Sequence, residues 1–257
     1  VTNGDIIRLF RKKNIDVTLL DRKTPEKLGK VYEEFQALGV KFCLGDSYLD
    51  TLTDYDVVFR SPGMYYHNEK LQEARKKGVV ITSEMEAFFA LCPCKIYAVT
   101  GSDGKTTTTT LISEFLAHAG FRVHKGGNIG RALLPIIEDI REEDVAVVEL
   151  SSFQLLSMRQ SPDVAVITNI APNHLDVHGT MEEYIYAKTK HSGAPGRFLQ
   201  NHSESGQRAD HESGIYGAWH TDHILTPSET GIRHLPPGRR NAVLYQGRRG
   251  HSCGTER

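Results

Sequence analysis

The sequence is poor in cysteine: four among 257 residues, at Cys43, Cys92, Cys94 and Cys253. So few and so scattered, they exclude a disulfide scaffold and point to a reduced, cytoplasmic protein. The "CPC" at 92–94 has the wrong spacing for a CxxC motif and no partner Cys/His pair near it in the chain, so neither a metal nor redox chemistry is expected there. No apolar run is long enough to cross a bilayer, and no basic-then-apolar leader opens the chain, which argues against membrane insertion. The formal net charge is −1. That leaves no basic surplus for nucleic acid and no acidic tail. Lysine is absent from Ser192 to Arg257, although the preceding body is rich in it.

What is present suffices for two domains: 39% hydrophobic residues over this length can bury a sizeable core. Residues 1–94 alternate strand-like runs ("NIDVTLLD", "VKFCLG", "YDVVFRSPG", "GVVITSE") with helix-like ones ("PEKLGKVYEEFQALG", "NEKLQEARKKG") that end on glycine. Such alternation predicts a mostly parallel sheet with right-handed crossovers. The chain opens directly on a helix-like "VTNGDIIRLFRKK", so a first strand and its turn are expected to be missing. A second α/β series spans 95–191. Here "KIYAVT", "EDVAVVELSS" and "PDVAVITNI" read as strands, the last two with the continuous apolar character of a central parallel sheet. "TTTTTLISEFLAHAG", "RALLPIIEDI" and "TMEEYIYAKTK" read as helices, the last with a Thr180 cap and Glu183 behind it.

"TGSDGKTTTTT", residues 100–110, joins a strand to a helix. A tight glycine turn there gathers free backbone N–H groups at the positive end of a helix, which makes an anion site. Lys105 adds a full charge within reach of terminal phosphates, and the Thr106 hydroxyl can ligate Mg²⁺. The pattern GxxxxGK[ST] would need glycine where Val99 stands, so the match is to the shorter TGxxGKT form. Gly126 and Gly127 read as further turn glycines downstream. Thr107 is within reach of phosphate, whereas Thr108 to Thr110 are expected to pack or to bond back within the helix.

Phosphoryl transfer also needs a metal carboxylate. Glu149 ends the strand "VAVVEL", at the sheet edge where α/β proteins hold ligands. "TNIAPNHLDVH" brings His174 and Asp176 to the same edge, and Lys188 follows in "YIYAKTK". Taken singly, these have plain structural alternatives: an edge charge, a structural histidine and a solvated helix lysine.

As an ordered set, "AVTGSDGKTTTTT", "GGNIG", "VVELSSFQL", "TNIAPNHLDVHG" and "YAK" resemble the Mur ligases over about residues 1–190. "ELSSFQL" and "GGNIG" favour the D-glutamate-adding branch. The resemblance implies a Rossmann-like UDP-binding domain over 1–94 and a P-loop parallel-sheet ATP-binding domain over 95–191. It implies ATP phosphates held by Gly101, Ser102, Asp103, Gly104, Lys105, Thr106 and Thr107, and Mg²⁺ held by Thr106 and Glu149. His174 would stand at a second Mg²⁺, and Lys188 would act as a carbamate ligand. Asn128 and Ser151 would lie near the muramoyl substrate, and Thr2, Asp21, Arg22 and Ser61 near the UDP group. The implied reaction joins D-glutamate to UDP-N-acetylmuramoyl-L-alanine through an acyl phosphate, in a monomer.

From 192 to 257 nothing continues that pattern, and an irregular tail is expected. Ten of the 23 glycines and half of the 12 histidines fall there. Read one base later with permitted codons, residues 188–209 give a buried-strand run ending in "NLDNE", close to the family's continuation. A frameshifted tail, with little or no ligase turnover, is therefore expected. The alternatives are a non-catalytic nucleotide-binding fragment and a ligase resembling folylpolyglutamate synthetase.

Overall fold

A computed structural model of the chain describes residues 3–189, 199–200 and 241–245. Two parallel sheets organise them. The first is built by β1 (Asp16–Asp21), β2 (Lys41–Leu44), β3 (Val57–Phe59), β4 (Val80–Thr82) and β10 (Asn241–Tyr245), in the order β2-β1-β10-β3-β4. Around them lie α1 (Gly4–Lys12), α2 (Pro25–Leu28), α3 (Lys30–Ala37), α4 (Glu69–Lys76) and α5 (Glu84–Leu91). The second sheet has the order β6-β7-β5-β8-β9, from β5 (Lys95–Thr100), β6 (Val123–Gly127), β7 (Val145–Glu149), β8 (Val164–Ile167) and β9 (Leu199–Gln200). Its helices are α6 (Lys105–His118), α7 (Ser152–Leu155), α8 (Leu175–His178) and α9 (Met181–Thr189).

The burial of each strand follows its place. β7 lies between β6 and β5, and all five of its residues are buried. β2, at an edge, buries none fully. In α1 only one face turns inward, through Ile6 and Ile7. One apolar cluster runs from Ile6, Leu19 and Phe35 through Phe88 to Ala146 and Val148, so the two sheets share a core. The Glu84 carboxylate reinforces that junction by accepting from Leu133 N and Leu134 N, both at 2.9 Å. Burial pushes its carboxyl above the usual carboxylate range.

Four expectations need correction. The helix expected over "PEKLGKVYEEFQALG" is two, because Gly29 takes φ +54° between α2 and α3. "RALLPIIEDI" forms a 3₁₀ turn over Leu134–Asp139, with Pro135 at its start, instead of an α-helix. Gly126 and Gly127 belong to β6, where a Cβ on Gly127 would stand 2.3 Å from the Glu149 carbonyl oxygen. The tail contributes β9 and β10 to the sheets, so it is not irregular throughout. β10 takes the centre of the first sheet, pairing from Asp16↔Asn241 to Leu20↔Tyr245 on one side and from Ala242↔Val57 to Leu244↔Phe59 on the other.

Candidate nucleotide site

β5 ends at Thr100, where the path of the chain divides, with β7 and β6 on one side and β8 on the other. Ligands of open α/β sheets bind at the carboxyl ends of strands at such a point. Gly101 takes φ +145°, and a Cβ there would meet Thr168 Oγ1 at 2.0 Å, so only glycine fits this close approach. Gly104 takes φ +74° and delivers the chain into α6. No acidic residue stands in the first turn of α6. Its unpaired N–H groups and dipole therefore face the loop together with Lys105.

The loop is braced from outside. Asn169 Oδ1 accepts from Ser102 N at 3.2 Å and from Asp103 N at 2.9 Å. Thr168 Oγ1 donates to Asp103 O at 2.5 Å. Ser102 Oγ donates to Ala171 O at 2.8 Å and lies 2.9 Å from the Tyr184 hydroxyl. Lys105 Nζ folds back on Ser102 O at 2.8 Å. Thr107 is exposed beside it. Thr109 is fully buried, as packing of the later threonines requires.

Thr106 Oγ1 donates to Glu149 Oε2 at 2.7 Å, and Asn128 Nδ2 donates to Glu149 Oε1 at 2.9 Å. Glu149 is 2% exposed. A buried carboxylate and a hydroxyl at the head of a phosphate loop are hard oxygen donors, the set that suits Mg²⁺. Lys188 comes to the same loop from α9: its Nζ donates to Gly101 O at 2.8 Å and sits 4.8 Å above the Tyr184 ring. Burial, and secondly the charge of Lys105, push its pKa down to about 8.

His174 takes φ +54° at the start of α8, with its ring 5.3 Å from that of Phe153. Among the described residues, no three His, Cys, Asp or Glu side chains gather closely enough to hold a metal ion by themselves. Ser151 serves as the N-cap of α7: its Oγ accepts from Gln154 N at 3.3 Å, while Gln154 Oε1 accepts from Ser151 N. Asn169, Thr168, Tyr184 and His178 carried no individual signal in the sequence. His178 Nε2 lies 2.9 Å from Ser152 Oγ and its ring stacks on Phe153. Only their place inside "TNIAPNHLDVHG" and beside "YAK" linked these side chains to the loop.

At the carboxyl edge of the first sheet, Asp21 ends β1 and is buried. Lys23 N donates to its Oδ1 at 2.9 Å, while its Oδ2 finds no hydrogen-bond partner among the described residues. Burial holds its carboxyl above the usual range. Ser61 is buried after β3, next to Arg60. Arg60 reaches the second sheet's side, with Nη2 donating to Ser157 Oγ at 2.9 Å and to Phe153 O at 3.2 Å. Arg22 is exposed and paired with Asp46 at 3.1 Å. Thr2 lies outside the described residues.

These observations define a class: an α/β protein whose second sheet carries a P-loop for a nucleoside triphosphate. Residues 1–83 match the Mur ligase MurD-like N-terminal domain, and residues 99–191 match the Mur ligase middle domain. Through these two domains the chain belongs to the Mur ligase family. It is 52% identical over 188 residues to a protein of Clostridium botulinum and 50% identical over 188 residues to one of Clostridium perfringens. It is 47% identical over 204 residues to one of Acetivibrio thermocellus. All three are named UDP-N-acetylmuramoylalanine–D-glutamate ligase. The matches take in 73%, 73% and 78% of this chain and 41%, 41% and 44% of the relatives, so it spans under half their length. No helix among the described residues is long and apolar enough to cross a membrane.

Proposed function

We propose that this chain carries the UDP-substrate and ATP modules of an ADP-forming ligase that joins D-glutamate to UDP-N-acetylmuramoyl-L-alanine in the cytoplasm. The observation that carries the ATP half is the Thr106 hydroxyl on the Glu149 carboxylate, 2.7 Å apart, at the mouth of the phosphate loop. The relatives' common name supplies the acceptor and the amino acid.

In this reading the α6 N-terminus and the residues Gly101 to Thr107 bind the triphosphate. Lys105 exchanges its bond to Ser102 O for the terminal phosphates. Thr106 and Glu149 would hold Mg²⁺, which would supply positive charge to offset the repulsion between the phosphates and the anionic acceptor. The L-alanine carboxylate takes the γ-phosphoryl group and ADP leaves. The D-glutamate amine then attacks the acyl phosphate, loses a proton, and phosphate departs as the amide forms. Asn128 orients Glu149. Asp21, whose Oδ2 has no hydrogen-bond partner among the described residues, and Ser61 flank the crevice where the first sheet's strand order reverses, and there they face the UDP group. A lysine held near pKa 8 is about one-tenth neutral at pH 7 and about half neutral at pH 8, far more than an ordinary lysine, and a neutral amine is the form that captures CO₂. Lys188 therefore has the chemistry for a carbamate, and His174 stands ready for a second cation.

The test is ADP release by the purified chain with each substrate omitted in turn, alongside Mg²⁺-dependent ATP binding. Binding that is lost in Lys105→Met and Glu149→Gln supports the nucleotide site. Little or no release is expected from a chain that spans under half its relatives' length, and release that needs both UDP-N-acetylmuramoyl-L-alanine and D-glutamate would show instead that these two modules suffice for ligation. ATP binding indifferent to both substitutions would refute the site.

A further inference from the structure

The passage between the two sheets holds a pair of thiols that the proposed reaction does not use. Cys92 closes α5, its N–H donating to Phe88 O at 2.8 Å, and Cys94 stands immediately before β5. Pro93 between them fixes its own φ. Both thiols are free, and their Sγ atoms lie 3.5 Å apart, in hydrogen-bond contact. Cys92 Sγ also approaches Cys94 O at 3.6 Å. Their exposures differ in a useful way: Cys94 is 6% exposed and part of the core, whereas Cys92 is only half-buried. The spacing alone argued against redox chemistry, but the fold turns both sulfurs to the same side.

We propose that Cys92 and Cys94 form a dithiol modification site for low-molecular-weight disulfides, with Cys92 attacking and Cys94 resolving. The Cys92 thiolate attacks one sulfur of the small disulfide, forms a mixed disulfide and expels one small thiolate. Cys94 gives up its proton to solvent and attacks Cys92 Sγ, expelling the second small thiol. Two protein thiols are oxidised and one small disulfide is reduced to two thiols. Closure needs an approach of roughly 1.5 Å from the present contact to reach bonding distance. Contact with Cys94 holds the Cys92 thiol below its ordinary pKa, and the same contact with burial holds Cys94 above it, which orders the two steps. The closed ring pins the chain where α5 hands over to the strand that delivers the phosphate loop.

The experiment equilibrates the folded chain with glutathione buffers of varied oxidised fraction, quenches it in acid, alkylates it and digests it with trypsin. The peptide from Gly78 to Lys95 contains Cys92 and Cys94 and no other cysteine, and the peptide from Phe42 to Arg60 reports Cys43 as an internal control. The expected result is a Gly78–Lys95 peptide two hydrogens lighter, without bound glutathione, while Cys43 remains alkylated. Its midpoint should follow a two-electron transition, with a tenfold change in equilibrium constant per about 30 mV. Cys94→Ser should stop at glutathione on Cys92, and Cys92→Ser should leave Cys94 reduced. Three results would each overturn the proposal: both thiols alkylated as readily as Cys43 across the titration, glutathione carried on Cys94, or the same midpoint in the urea-unfolded chain.

Discussion

Lys188 is a charge held where water does not reach, and its titration should be visible in the stability of the protein. Folded, its pKa lies at about 8; unfolded, it returns to the ordinary 10.5. Between those values the unfolded chain binds more protons, so this residue makes stability rise with pH across that window. Below pH 8 both states carry the charge, and the whole burial cost remains. Lys188→Met should therefore flatten the rise between about pH 8 and 10.5 in urea denaturation at several pH values; an unchanged slope would remove Lys188 as its source. Gly101 offers a steric test. A Cβ 2.0 Å from Thr168 Oγ1, at φ +145°, forces the loop to move. Gly101→Ala should cost roughly 1–3 kcal/mol of stability and weaken Mg·ATP binding on the order of tenfold, ~1.4 kcal/mol, by calorimetry. Lys105, Thr106 and Glu149 were legible as candidates because a charged or hydroxyl side chain at a strand end or helix start has few other uses. Asn169 and Tyr184 were not, because a neutral amide and a phenol fit many settings and their partner Ser102 is 67 and 82 residues away in the chain.

At the scale of elements, α7 has only four residues and depends on its cap. Ser151 and Gln154 form a reciprocal box there, directly after the strand that ends on Glu149. Ser151→Ala should cost about 1 kcal/mol in urea denaturation with no ligand present. If Ser151 acts only on substrate, as the resemblance alone would have it, ligand-free stability will not change. The strands β1 to β5, β7 and β8 could be read from sequence because each is a short, mostly apolar run, and β7, buried along its whole length, is the plainest of them. β6 escaped because "VHKGG" mixes a buried histidine with an exposed lysine and two glycines. Its His124 is satisfied only in the fold, by Asp144 at 2.8 Å. α5 escaped for the opposite reason. "EMEAFFAL" shows little amphipathic contrast, and only the Ser83 cap marks where it begins. The 3₁₀ turn at Leu134–Asp139 depends on Pro135 and on Glu84 reaching across from α5, and the second of these is a tertiary contact that no local pattern carries.

At the scale of the molecule, the first sheet joins the two ends of the described chain. Its order places the tail strand β10 between β1 and β3, where it hydrogen-bonds to both. The sequence pattern led to the expectation of a strand before α1. It could not show that "NAVLY", far along the chain, lies between β1 and β3, because pairing partners 185 to 225 residues apart leave no local trace. Remove β10, and β2 with β1 on one side and β3 with β4 on the other become two-stranded ribbons, which are marginal in water by themselves. β1 and β3 would each expose a row of backbone N–H and C=O groups now paired. The second sheet's β5 and β7 make no pairing with β10. Ending the chain after residue 240 should therefore strip hydrogen-exchange protection from the amides of β1 and β3 while those of β5 and β7 keep theirs. Mg²⁺-dependent ATP binding should survive the truncation, since every residue placed at the phosphate loop lies on the second sheet or its helices. Unchanged protection in β1 and β3 would mean that the first sheet stands without its central strand. Loss of protection in both sheets together would mean instead that the shared core around Phe88 and Ala146 makes them one cooperative unit.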